Sequence, residues 1–271
     1  MGLRSGRILP YVAAVVAAVA AVLFVVAPGP LASTTTAHFD TEADLRVALG
    51  SAFVKYWDSG RGELSPDLAA ITDYWLRYHC VKAVLASALF AALIVVGVRV
   101  WSSVLSPAGL AAKVVRSVAG VAVALLGLVA LVLAMVNVQG AIAPLASLLP
   151  MLVTDTTDPE LAVTLDQVKS LADSPGWHGV PAIDRMVDDF TRYHVAMAAL
   201  AAAVTLAALT TAVVLWRRAR RAEGRETRWA LGSFAAALGV VALSMAVVAV
   251  ANTSTATDPA PALLTAFHGQ W

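Results

Sequence analysis

Five stretches of about twenty mostly apolar residues punctuate this chain, near 8–27, 81–101, 115–137, 195–216 and 229–251. A bilayer core of about 30 Å takes roughly 20 helical residues to cross, so each stretch is long enough to span it. Only 14% of the 271 residues are charged and 59% are hydrophobic, whereas a soluble domain carries about 25% charge. A water-soluble globule is therefore excluded, and the fold class is an all-α integral membrane protein. Arg4 and Arg7 precede the first stretch and the small residues Ala32 and Ser33 follow it, as in a signal peptide. Its apolar run exceeds a signal-peptide core of about 7–15 residues, which makes it a retained anchor. The single cysteine, Cys80, forms no intrachain disulfide and no cysteine-based zinc site.

The formal charge of +1 conceals an asymmetry. With the N-terminus in the cytoplasm, 11 of the 19 cations fall inside, including Arg99, Lys113, Arg116 and the run Arg217, Arg218, Arg220, Arg221. Only Glu223 and Glu226 of the 18 acids accompany them, which gives +9 inside and −8 outside. Cytoplasmic loops collect Lys and Arg, so this orientation is expected, with the C-terminus and all five histidines on the outer side of a plasma membrane. An acidic outer surface favours a basic or cationic partner and, with the near-neutral total, argues against nucleic acid. The preference for Arg over Lys and the Ala/Val richness suit a GC-rich bacterial genome.

The sequence repeats at an offset of 115. Over residues 58–79 seven positions are identical to 173–194: Asp58/Asp173, Ser59/Ser174, Pro66/Pro181, Asp73/Asp188, Arg77/Arg192, Tyr78/Tyr193 and His79/His194. Chance gives about one or two in such a window. Trp101/Trp216, Lys113/Arg228, Asn137/Asn252, Pro144/Pro259 and Leu148-Leu149/Leu263-Leu264 continue the series, and Pro30-Leu31-Ala32-Ser33 recurs at 144–147. About 2.5 parallel tandem copies are expected. Repeat 1 covers 1–114 (span 8–27, outer loop 28–80, span 81–101, cytoplasmic loop 102–114). Repeat 2 covers 115–227 (span 115–137, outer loop 138–194, span 195–216, basic loop 217–227). A half repeat, 228–271, holds the span 229–251 and an outer tail.

Outer loops of about 50 residues are too long to lack structure in a compact protein. Leu45, Leu49, Ala52 or Phe53, and Tyr56, and likewise Leu161, Leu165, Val168 and Leu171, recur at helical spacing. Pro66 and Pro181 then open second helices that run on into the membrane. Their stripes, Leu68-Ile71-Trp75-Tyr78 and Ile183-Met186-Phe190-Tyr193, share one 3-4-3 spacing. The result is a small helical extracytoplasmic cap of four helices over a five-helix bundle. Asp73 with Arg77, and Asp188 with Arg192, lie one turn apart opposite the stripes and suit interfacial ion pairs. Tyr78, Tyr193, Trp101 and Trp216 fall at span ends, where aromatic belts form.

Several residues are candidates for chemistry. His79 and His194, supplemented by His38 near Asp40, either converge to ligate a haem or divalent metal or copy an interfacial helix start. Lys82 lies within an outer-leaflet span and has Met197 as its counterpart, so it either binds a small anion or a lipid headgroup or snorkels to the surface. Asn137 and Asn252 either bond between helices or cap a helix end. Arg217, Arg218, Arg220 and Arg221 set topology and meet anionic lipid. No P-loop, G-x-S-x-G, H-E-x-x-H or cysteine pair occurs, and no catalytic residue is assigned. The leading expectation is a non-enzymatic accessory or scaffold subunit that engages another membrane protein or its own copies. The alternatives are a haem- or metal-binding redox protein and an anion transporter or channel.

Overall fold

A computed structural model describes residues 2–104, 106–153, 158–172 and 179–269. Among these residues the chain is helical, with no strand: α1 (Gly2–Val26), α2 (Pro28–Ala32), α3 (Glu42–Asp58), α4 (Pro66–Val104), α5 (Leu110–Ile142), α6 (Pro144–Val153), α7 (Pro159–Ala172), α8 (Pro181–Arg221), α9 (Arg225–Thr257) and α10 (Pro259–Phe267). Six of the helices open on proline, whose missing N–H costs nothing in a first turn. Side-chain caps satisfy other exposed amides: Thr41 and Asp44 form a reciprocal capping box on α3, and Asp158 accepts from Glu160 N–H at 2.9 Å on α7. Gly60, at φ +63°, takes the left-handed conformation just after α3.

The chain divides into two compact units. The first comprises Met1–Val26, Lys82–Val136 and Ala199–Ala249. It holds the apolar stretches of α1, α4, α5, α8 and α9, the five helices long and apolar enough to cross a membrane. In none of them is more than 28% of the most apolar window buried. Small residues pack inward, as at Ala17, Ala92 and Ala130, while Val22, Leu125, Leu206 and Leu243 are each at least 60% exposed. Leaving so much large aliphatic surface outside would forfeit about 2 kcal/mol per side chain in water, so this unit suits an apolar solvent.

The second unit, Ala27–Val81, Asn137–Ala198 and Val250–Trp271, has the opposite arrangement. The stripes of α3 (Leu45, Leu49, Phe53, Tyr56), α7 (Leu161, Leu165, Val168), α4 (Leu68, Ile71) and α8 (Ile183, Met186, Phe190) close into one core. The loop helices and the long helices after Pro66 and Pro181 therefore form where the spacing predicted. Three short helices were not anticipated: α2, α6 and α10. Leu145, Leu148, Leu149 and Leu152 of α6, with Leu263 and Phe267 of α10, are among the most buried side chains of this core. Helix α6 packs on α3 and α10, and α7 packs on α3 and α10. Helix starts recur at 66/181, 110/225 and 144/259, each pair 115 residues apart. Asp173–Gly176 and His178 lie outside the described residues, as do Gln270 and Trp271.

Tyr56 is fully enclosed, and its hydroxyl donates to Ala182 O at 3.4 Å. Burial pushes its phenol up to about 12, against a smaller opposing pull from Arg185. A raised folded value means that the unfolded chain loses this proton first, so stability is retained below pH 10 and lost between pH 10 and 12. The expected loss from this group is about 2–3 kcal/mol at pH 12. Tyr56→Phe should flatten that alkaline limb in chemical denaturation followed as a function of pH, and an unchanged slope would refute the assignment.

Candidate functional site

The second unit brings four of the candidate polar residues, His79, His194, Asn137 and Asn252, into helix-to-helix bonds. His79 on α4 meets Asn137 on α5, Nδ1 to Oδ1 at 2.9 Å, and His194 on α8 meets Asn252 on α9 at 2.8 Å. The amide oxygen only accepts, so each Nδ1 carries a proton and donates it. Each pair spans 58 residues, although His79 and Asn137 were read separately from the sequence. Asn137 and Asn252 do not cap helix ends, because α5 runs on to Ile142 and α9 to Thr257. Their role is the interhelical bond.

Each imidazole sits among aromatic rings of its own helix. His79 takes the edge of Trp75 at 4.8 Å and of Tyr78 at 5.9 Å, and His194 takes Phe190 at 4.5 Å and Tyr193 at 5.6 Å. Trp75 is fixed in turn by Nε1 donating to Ser147 Oγ at 2.8 Å. Opposite the His79 ring lies Gly140, where a Cβ would fall within 2.8–2.9 Å of three ring atoms, so only a glycine admits the ring. Nearby, the buried Gln139 donates to Tyr193 O at 3.1 Å. Asp189, 3% exposed, accepts from Ala146 N–H at 2.9 Å and thereby caps the N-terminus of α6. Neither residue stood out in the sequence, because a lone Gln and one Asp among several carry no spacing signal.

The expected ion pairs form: Arg77 with Asp73, and Arg192 with Asp188 at 2.8 Å, all partly or well exposed. Such surface pairs contribute at most about 1 kcal/mol. His38 lies between Ser33 Oγ and Asp40 Oδ1, 3.1 Å from each. The order Ser-His-Asp invites comparison with a nucleophilic triad, but the Ser33 hydroxyl donates to Gly29 O at 2.9 Å, and the imidazole and carboxylate are 63% and 84% exposed. These three residues close the connection between α2 and α3. Among the described residues no group of three or more His, Cys, Asp or Glu is placed to hold a metal ion.

No family model, no curated protein and no solved structure matches the chain.

In the first unit Lys82 Nζ lies over the ring of Phe24, 4.6 Å from its centroid, a cation–π contact that lowers the cost of a cation in an apolar helix. Trp101, at the end of α4, is partly buried. It packs edge-on against Phe234 at 4.5 Å and covers Gly120, where a Cβ would lie 2.7 Å from the indole. Trp216 stays exposed, and so do Arg217, Arg218, Arg220 and Arg221.

Proposed function

We propose that this chain is a multi-pass plasma-membrane protein of accessory or scaffold type. Its N-terminus is cytoplasmic and its C-terminus outside, and it is built from about 2.5 parallel copies of one unit. The second structural unit is then an outer cap that engages a basic partner or further copies of the chain. The observation that carries this reading is what the polar residues do. His79, His194, Asn137, Asn252, Gln139 and Asp189 bond one helix to another, and the Asp–Arg pairs decorate the surface.

Charge supports the reading from another side. Seven cations and sixteen acids fall in the second unit, a formal −9, and twelve cations against two acids fall in the first, +10. That division rests on chain contacts and takes no account of charge, yet it sorts the acids almost completely. Lys and Arg gather on the cytoplasmic side of short loops, so the acidic unit belongs outside. Glu42, Asp67, Asp158, Glu160 and Asp166 are all exposed there; Glu42, Asp67 and Asp166 pair with Arg46, Lys55 and Lys169 at the surface, where lysines of a partner would compete for them.

Two experiments test it. A membrane-impermeant maleimide applied to intact cells should label the exposed Cys80, whereas a cysteine placed at Glu223 in a Cys80→Ser background should react only after lysis; the reverse pattern overturns the orientation. Carbodiimide coupling in membranes should join the cap carboxylates to a partner's or a second copy's lysines. A lone monomer that co-purifies with nothing and turns over a small molecule would overturn the scaffold role.

One observation favours a second reading, a haem or metal protein. With Nδ1–H held by an amide oxygen, the neutral imidazole keeps its lone pair on Nε2, the arrangement that orients histidine ligands. Visible absorption with elemental analysis of the solubilised protein decides between the two. A coloured or metal-loaded protein that loses its group in His79→Ala and His194→Ala supports the second reading, and a colourless, metal-free one removes it.

A further inference from the structure

We propose that the arginine-bearing end of α8 and its turn into α9 form a binding surface for anionic phospholipid headgroups. The inference rests on the membrane reading and deepens it, turning the lipid contact expected of these arginines into a defined surface on α8.

Helix α8 packs through one face, where Ala201, Ala208, Ala212 and Ala219 are buried. On the other arc Leu209, Val213, Val214 and Trp216 are exposed. At four-residue spacing those rows continue directly into arginine: Leu209-Val213-Arg217-Arg221, Val214-Arg218 and Trp216-Arg220. The guanidinium groups thus extend the very face that presents large aliphatic side chains outward. A partner in water would meet these charges beside wetted Val and Leu. A bilayer meets both at once, hydrocarbon along the aliphatic rows and phosphate at the guanidinium level one turn on.

Two further observations agree. Trp216 and Trp229, 56% and 67% exposed, flank the cluster on α8 and α9, and indole rings favour the headgroup level. The only acids of this unit are Glu223 and Glu226, and Glu226 is engaged by Lys113 at 2.9–3.2 Å. Among the described residues no acid pairs with Arg217, Arg218, Arg220 or Arg221, so their planar donors are available for bidentate contact with phosphate oxygens.

The test uses the full chain reconstituted in phosphatidylcholine vesicles, with spin-labelled phosphatidylglycerol or phosphatidylcholine as the probe. The motionally restricted fraction in electron spin resonance gives the preference of the protein surface for one lipid over the other. Phosphatidylglycerol should be favoured about fivefold at low salt, the effect of roughly one fully engaged cation, and the preference should shrink as salt is raised. Replacing the four arginines together by glutamine should bring the ratio close to one, while replacing all four by lysine should keep most of it. Equal restriction of both lipids by the wild-type protein, or an undiminished preference in the glutamine variant, would overturn the proposal. Should the glutamine variant fail to reconstitute, the wild-type salt titration decides, because a preference unchanged in 1 M salt overturns it too. Absence of any restricted lipid would instead overturn the membrane reading itself.

Discussion

Phe53→Ala is expected to destabilise the second unit by about 3–5 kcal/mol, the range for emptying a fully enclosed aromatic site. The Phe53 ring is 0% exposed and stands on α3 between Leu49 and Tyr56, with the Tyr56 ring 6.3 Å away. Helix α3 packs on both α6 and α7, so the space left by the ring borders several helices and cannot be refilled by one side chain turning inward. Val47, on the same helix and 75% exposed, supplies the comparison. Val47→Ala should change stability by no more than about 0.5 kcal/mol. Denaturation of both variants in detergent, followed by proteolysis of the connection between α3 and α4, reads the difference. If Phe53→Ala behaves like Val47→Ala, the core described around α3 is wrong.

What the sequence disclosed here followed from length and period. Five runs of about twenty residues and two stripes of 3-4-3 spacing each sum a signal over several turns, and the corresponding helices form. Helices α2, α6 and α10 are 5, 10 and 9 residues long, too short for a periodic pattern to stand out from an apolar background. The leucines of α6 and α10 include the repeated pairs Leu148-Leu149 and Leu263-Leu264, yet nothing in the pairs said that they enter a core. The His–Asn bonds were hidden for a different reason, since their partners lie 58 residues apart and no local rule joins them. A signal did exist: His79 and His194, like Asn137 and Asn252, recur at 115, so the separation between them recurs as well. Trp101 shows how position leaves contacts unread, for its place at a span end gave no sign that it packs on Phe234 and Gly120.

Gly140→Ala is expected to reverse the sign that helix propensity would give it. In a helix interior with room for the methyl this change stabilises by about 1 kcal/mol, and Gly127→Ala, on the same helix with open space at its Cβ, should show that gain. At Gly140 the added methyl would stand 2.8–2.9 Å from Cγ, Cδ2 and Cε1 of His79, closer than real Cβ contacts come. The ring cannot withdraw cheaply. Its Nδ1 is bonded to Asn137 at 2.9 Å and its edge meets Trp75 at 4.8 Å, with Trp75 itself held by Ser147. Overpacking of this kind costs about 1–3 kcal/mol, and breaking the His–Asn bond adds about 1 kcal/mol more, so the net change is destabilising despite the propensity gain. Since the obstacle is one ring, His79→Ala should remove it. The double variant should then lose about 1–3 kcal/mol less than the two single losses combined. Additive losses, or a Gly140→Ala protein as stable as Gly127→Ala, would mean that the imidazole does not rest on Gly140.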